Sequence, residues 1–223
     1  MSKCIEFKGN WKVQDGIWYF RRHMSSSENT ILGLKLPTDP RWVNLAEISL
    51  EDILTDHAYC EQKAASHCIS LIQKYPQYEK LVEELSPIVT EEWGHFRMVL
   101  SEIRKRNLRL GTQRKDLYVN ALNELISKGG HPIKRFMDQL LVFALIEARS
   151  CERFRLLSEE LEDPYLREFY RKFMISEAGH YRLFLDLAKT YCPEDEVTRR
   201  WKELLEAEKE ILRAMDVRGD RMH

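Results

Sequence analysis

Glu92-Trp93-Gly94-His95-Phe96-Arg97 and Glu177-Ala178-Gly179-His180-Tyr181-Arg182 are two copies of one pattern: Glu, any residue, Gly, His, an aromatic and Arg. A second matched pair precedes them, Glu61-Gln62-Lys63-Ala64-Ala65-Ser66 in the first half of the chain and Glu147-Ala148-Arg149-Ser150-Cys151-Glu152 in the second. The offsets are 86 residues from Glu61 to Glu147 and 85 from Glu92 to Glu177, so the halves superimpose almost without a gap. A single Glu-x-x-His on a charged helix is ordinarily a solvated pair. Two copies, each about thirty residues after a matched Glu, mark an internal repeat that carries chemistry.

Residues three and four apart share a helix face. Glu61 then falls in a stripe with Leu54, Ala58, Ala65, Cys68 and Ile72, and Glu147 among Leu140, Phe143, Ala144, Cys151 and Phe154. Glu92 and His95 extend Leu81, Leu85, Ile88 and Val99, while Glu177 and His180 continue Phe169, Phe173, Phe184 and Leu187. Four carboxylates and two imidazoles therefore point into a core, and no Lys or Arg falls in these stripes. An unpaired buried carboxylate costs several kcal/mol, so multivalent cations are the economical partner. Glu152, the rival to Glu147, lies about 140° around the helix and off the stripe.

One Glu from each of two helices and Glu-x-x-His from each of two others is the ligand set of ferritin-like carboxylate proteins. The expected fold is all-α, a ferritin-like four-helix bundle with additional flanking helices. The expected metal ligands are Glu61, Glu92, His95, Glu147, Glu177 and His180, which act in catalysis through the metal centre. Mixed carboxylate and imidazole ligation suits iron or manganese better than copper or structural zinc, and two iron ions are the first choice. Glu91 and Ser176, one position before each motif and four before its His, are candidates to support the histidines; exposed helix positions are the alternative. His57, His67 and His131 have no matched partners and read as ordinary polar positions.

Composition agrees with one helical domain. The 223 residues are 43% hydrophobic and 32% charged, with only 9 Gly and 7 Pro, enough chain for a sizeable core. The formal charge of -1 carries no global bias toward nucleic acid. Five cysteines without a CxxC pair argue against a disulfide framework or a zinc knuckle. The longest apolar run, Leu140 to Ile146, is far short of the roughly 20 residues that cross a bilayer, and no signal peptide opens the chain, so a cytoplasmic protein without membrane contact is expected.

Helical spacing begins at Ser49 and is punctuated into segments near 49–75, 77–107, 113–127, 132–161, 164–191 and 194–215. Ser49 with Asp52 resembles a capping box, and Asp163-Pro164 an N-cap and first-turn pair. Pro87 predicts either a kink or a restart capped by Ser86. Residues 1–30 lack a helical period and read as an appendage outside the bundle, with residues 31–223 as the metal-binding domain. Met24 is a candidate translation start, which a native N-terminal mass beginning at Met1 would refute.

The runs Asp56-His57-x-x-Cys60-Glu61-x-Lys63-Ala64-Ala65-Ser66, Glu147-Ala148-Arg149-Ser150-Cys151-Glu152-Arg153-Phe154 and Ser176-Glu177-Ala178-x-His180-Tyr181 resemble the tRNA hydroxylase family called MiaE, over roughly Leu32 to Tyr191. The resemblance implies a di-iron, dioxygen-dependent monooxygenase that hydroxylates the isopentenyl group of 2-methylthio-isopentenyladenosine beside the tRNA anticodon. No flavin or nicotinamide fingerprint is present, so an external reductase is the expected electron donor. The candidate tRNA-contacting cluster is Arg104, Lys105, Arg106, Arg109, Arg114 and Lys115, six basic residues in twelve with no acid. Charge complementing a helix C-terminus is the alternative. A ferritin-like oxidase or hydroxylase on another substrate, an iron-storage ferroxidase and a metal-free helical adaptor are the competing functions.

Overall fold

In the computed structural model, residues 30–223 are described in full. Of the first 29, only the backbone of three short strands is described: β1 (Ile5–Glu6), β2 (Trp11–Gln14) and β3 (Ile17–Phe20). They form an antiparallel meander in which Ile5 pairs with Val13 and Val13 with Trp18. The expected appendage and the Met24 start otherwise lie outside the described residues.

Seven helices follow: α1 (Arg41–Ile48), α2 (Leu50–Lys74), α3 (Glu79–Lys105), α4 (Leu117–Asn123), α5 (Pro132–Glu160), α6 (Pro164–Tyr191) and α7 (Glu194–Arg213). The long helices pair as two hairpins, α2 against α3 and α5 against α6, and the hairpins close into a four-helix bundle flanked by α1, α4 and α7. Six helices were legible from the spacing. The missed one, α1, buries only Trp42, Val43 and Ala46 over eight residues, too short for a period to show.

The local signals were met unevenly. Asp163 caps α6 by accepting from the N–H groups of Tyr165 and Leu166, with Pro164 in the first turn. His131 does the same for α5 through Ile133 N–H. The expected Ser49 capping box is absent: α1 abuts α2, the Ser49 N–H is taken by Leu45 O, and its side chain makes no cap bond. α3 runs unbroken through Pro87. It ends where Asn107 takes a left-handed conformation (φ 57), which Asn tolerates better than most residues.

Two apolar clusters build the core. One gathers Leu71, Leu85, Leu140, Ala144 and Phe184; the other gathers Leu54, Ala58, Val99, Phe154 and Phe173. Each fully buried Leu or Phe contributes about 1.5–3 kcal/mol. On every bundle helix the expected ligand falls between its contributions to the two clusters: Glu61 between Ala58 and Leu71, Glu92 between Leu85 and Val99, Glu147 between Ala144 and Phe154, Glu177 between Phe173 and Phe184. The polar site is thus held between two apolar blocks of the bundle.

Candidate metal centre

The structure brings all six sequence-predicted ligands together. Glu61, Glu92, His95 and Glu177 present ligand atoms within 4.8 Å of one another, and Glu92, Glu147, Glu177 and His180 form a second such group. Glu92 and Glu177 belong to both. α2 and α5 therefore each supply one outer carboxylate, while α3 and α6 each supply a shared carboxylate and an imidazole.

The four carboxylates are 5% exposed or less. Both imidazoles turn Nδ1 inward. His180 Nδ1 lies 2.8 Å from Glu92 Oε1 and 3.3 Å from Glu177 Oε2, and His95 Nδ1 lies 3.3 Å from Glu61 Oε2 and 3.5 Å from Glu92 Oε2. His95 Nδ1 and Glu92 Oε2 are buried without any hydrogen bond, the condition of donor atoms arranged for a cation rather than for one another.

Electrostatics say the same. Burial, and then the Glu92 charge, push the Glu61 carboxyl well above its usual range; burial and Glu177 do this to Glu147. Burial opposes charge on His95, but Glu61 and Glu92 outweigh it and raise the imidazole to about 10. His180 is raised too, against burial, by Glu177, Glu91 and Glu92. Glu92 moves the other way, held low against its burial by His180 and His95. Without metal the cluster keeps protons. Four carboxylates and two neutral imidazoles would balance two divalent cations, which would displace those protons. The donor set fits a pair of hard or borderline ions.

Glu91 and Ser176 stand where the sequence placed them. Ser176 Oγ donates to Glu91 Oε1 at 2.5 Å, and Glu91 faces the outer Nε2 atoms of His180 at 3.5 Å and His95 at 3.9 Å. One half-exposed carboxylate thus addresses both histidines from the α3–α6 surface, and chiefly the His180 contact lowers it to about 2.

Three features escaped the sequence reading. His57 is not an ordinary polar position: it is fully buried inside Phe154, Tyr170 and Phe173, with Nε2 2.8 Å from Glu61 Oε1. Burial keeps it neutral. Its spacing, four residues before Glu61 on the same face, was the available signal. His67 is also largely buried, stacked on Phe143, and pushed down to about 3 by burial. The third is a cavity of about 130 Å3 between α2, α5 and α4. Its lining combines Glu61, Glu92, Glu147 and Glu177 of the cluster with Lys63, Asp116 and His223 and with apolar Ala64, Val119, Phe143 and Ile146.

Glu152 is not at the site. It pairs with Arg149, as does Glu208, and accepts from Thr38. The basic cluster is divided. Arg106 pairs with Glu102 and Asp163, and Arg114 with Asp52 and Asp220, whereas Arg104, Arg109 and Lys115 make no ion pair among the described residues. Lys105 contacts Tyr165 OH. Of the aromatic residues beside the ligands, Trp93 is 47% exposed, and Tyr59 and Tyr181 donate to backbone carbonyls of Gly111 and Leu32.

An all-helical bundle with one Glu from each of two helices and Glu-x-x-His from each of the other two defines the class of ferritin-like di-metal carboxylate proteins. Within it, the sequence model described as tRNA-(MS[2]IO[6]A)-hydroxylase (MiaE) matches residues 26–223, and the chain belongs to that family. Two relatives carry the name tRNA 2-(methylsulfanyl)-N(6)-isopentenyladenosine(37) hydroxylase. The one from Pseudomonas putida is 37% identical over 183 residues, 82% of this chain and 88% of its own. The one from Salmonella typhimurium is 26% identical over 82% of this chain and 84% of its own. Among solved structures, "Protein 43 with aldehyde deformylating oxygenase activity" from Synechococcus superimposes with a TM-score of 0.81 and 38% identity, covering 86% of this chain and 96% of that one. Among the described residues no helix is long and apolar enough to cross a membrane.

Proposed function

We propose that this chain is a di-iron hydroxylase of the isopentenyl group of 2-methylthio-isopentenyladenosine in tRNA. The observation that carries the reading is a cluster of four buried carboxylates and two inward-turned imidazoles lining a cavity, in a chain of this family. Glu61, Glu92, His95 and Glu177 would hold one ion and Glu92, Glu147, Glu177 and His180 the other, the two overlapping groups of donor atoms. Iron held there would supply dioxygen activation, with one oxygen atom going to the C–H bond and the other to water at the expense of two electrons from a separate reductase and two protons from solvent.

The remaining work belongs to the protein. Glu91 and Ser176 fix the outer faces of the histidines so that Nδ1 points inward. His57, inside its aromatic box, packs with Nε2 2.8 Å from Glu61 Oε1 and limits the room in which that carboxylate can move. An apolar cavity of about 150 Å3 accommodates benzene. One of about 130 Å3 has room for a five-carbon isopentenyl group but not for the purine as well, so the alkyl chain alone reaches the carboxylates. Arg104, Arg109 and Lys115, free of ion pairs among the described residues, are the members of the basic cluster suited to phosphate contact. Residues 31–223 form the catalytic domain, residues 1–30 an appendage, and the setting is cytoplasmic.

The test is metal analysis and Mössbauer spectroscopy on protein grown in iron-57 medium, with hydroxylation of prenylated tRNA measured alongside. About two coupled irons per chain, lost in Glu92→Ala and Glu177→Ala together with the activity, is the expected outcome. Failure to bind iron or manganese after anaerobic reconstitution would overturn the metal assignment. The activity named for the Synechococcus relative makes an aldehyde the competing substrate; turnover of aldehyde but not of tRNA would replace the substrate assignment while leaving the metal centre standing.

A further inference from the structure

Beyond α7 the chain doubles back as a strap over residues 214–223. Gly219 passes so close to α1 that a Cβ would lie 2.2 Å from the Leu45 carbonyl carbon, so only glycine fits. Asp220 pairs with Arg114, the Met222 N–H donates to Asp56, and the Arg221 carbonyl accepts from Trp42 Nε1 and Arg153. Met222 is 1% exposed. The strap thereby sets His223 in the lining of the metal-side cavity, with Nε2 2.9 Å from Ser150 Oγ, Nδ1 3.6 Å from Asp116, and the ring stacked on Tyr118 at 5.3 Å and 19°.

His223 also lines a second cavity of about 450 Å3. Around that cavity stand Lys115, Arg153, Arg213, Arg218 and Arg221, against Asp39 and Asp216 alone. Arg213, Arg218 and Arg221 have carboxylate partners, and Asp39 is held by Arg41. Arg153 differs. Its side chain is 8% exposed, its Nε has no hydrogen-bond partner, its guanidinium lies over the Trp42 ring at 4.9 Å, and no carboxylate pairs with it among the described residues. A buried guanidinium that lines a cavity and has no ion-pair partner among the described residues presents the fork geometry that phosphate satisfies.

We infer that the two cavities are successive subsites for one nucleotide: the isopentenyl chain in the metal-side cavity, the purine where the His223 ring now lies, and the phosphate-bearing ribose in the arginine-lined cavity with Arg153 as its anion contact. The inference rests on the tRNA-hydroxylase reading. The imidazole of His223 matches the five-membered half of a purine in shape and polarity, and it already stacks on an aromatic ring and meets a hydroxyl and a carboxylate. It occupies the base position and must swing aside for substrate. A metal ion on Cys60, Asp116 and His223, which also approach one another, is disfavoured because Lys63 already compensates Asp116 at 3.0 Å.

The test measures binding of isopentenyladenosine and its 5′-monophosphate to the metal-loaded full chain by calorimetry. The wild type is expected to favour the monophosphate about tenfold; Arg153→Gln should erase that ratio, and Lys115→Ala, an exposed variant that does not threaten folding, should lower it about threefold. His223→Ala should tighten both ligands about tenfold and leave the ratio intact. Equal affinities in the wild type, unchanged or weaker binding in His223→Ala, or a third metal ion lost in that variant would each overturn the inference. Turnover of prenylated tRNA by the wild type separates the two failures: hydroxylation without a phosphate preference removes the subsites alone, and absence of hydroxylation removes the functional reading on which they rest.

Discussion

Glu147 and Glu152 are both buried on α5, yet they meet opposite fates. Glu152 joins Glu208 in gripping the fully buried Arg149, and Thr38, Tyr118 and the Leu36 carbonyl add further hydrogen bonds. That cluster carries its own cation and ties α5 to α7 and to the segment before α1. Glu147 joins Glu61, Glu92 and Glu177 with two imidazoles and no Lys or Arg. Buried charge compensated by a covalently attached guanidinium is architecture, whereas buried charge left for an exchangeable ion is a site. The comparison can be broken from either side.

The largest effect is expected at the self-compensated cluster. Arg149→Met strands two buried carboxylates and should cost about 3–5 kcal/mol in urea unfolding, with or without metal. Glu147→Gln in metal-free protein should cost nothing or stabilise it, since burial and the Glu177 charge already press that carboxyl toward its neutral form. Equal losses in the two variants would erase the distinction.

Next in size is the pH response of metal-free protein. His95 is raised in the folded state from 6.5 to about 10, and Glu61 and Glu147 are raised too, so the folded state binds more protons than the unfolded chain. The stability from His95 is full below pH 6.5 and lost as pH rises through about 10, a decline on the order of a few kcal/mol. Metal-loaded protein should lack this decline, and loading near neutral pH should release protons. Thermal unfolding across that range checks the first and calorimetry in buffers of different ionisation enthalpy the second; a flat metal-free profile would contradict the assigned charge states.

The smallest effect is expected outside the ligands. Glu91→Gln removes the charge that faces both histidines and should weaken metal binding about tenfold, without loss of the fold. A variant indistinguishable from wild type in a competition assay with a chelator would make Glu91 a bystander.

The bundle and the clustering of the six expected ligands were legible because both obey the helical period: Glu61 and Glu147, like the two Glu-x-x-His pairs, sit on stripes that also carry the core. Arg149 and Glu152 lie off those stripes, and their burial depends on α7 and the 30–40 segment folding over them, which no spacing encodes. His57 obeys the period and was overlooked only for want of a repeat partner. His223 was invisible for a different reason. It reaches the cavity through a strap whose path is set by one close approach at Gly219 and by ion pairs over a hundred residues apart in sequence, such as Arg114 with Asp220.

Each half of the chain makes a helical hairpin from neighbours in sequence, α2 with α3 and α5 with α6, and such local pairing forms early. Polar contacts such as Tyr75 with Gln139 and Arg106 with Asp163 join the hairpins near their ends, and the cluster joins them in the middle, with candidate ligands drawn from positions 61 to 180. A bound pair of ions would therefore act as a reversible cross-link between two independently formed halves, stabilising the native chain in proportion to the logarithm of free metal. The same ions that define the chemistry would set how cooperatively the two hairpins melt.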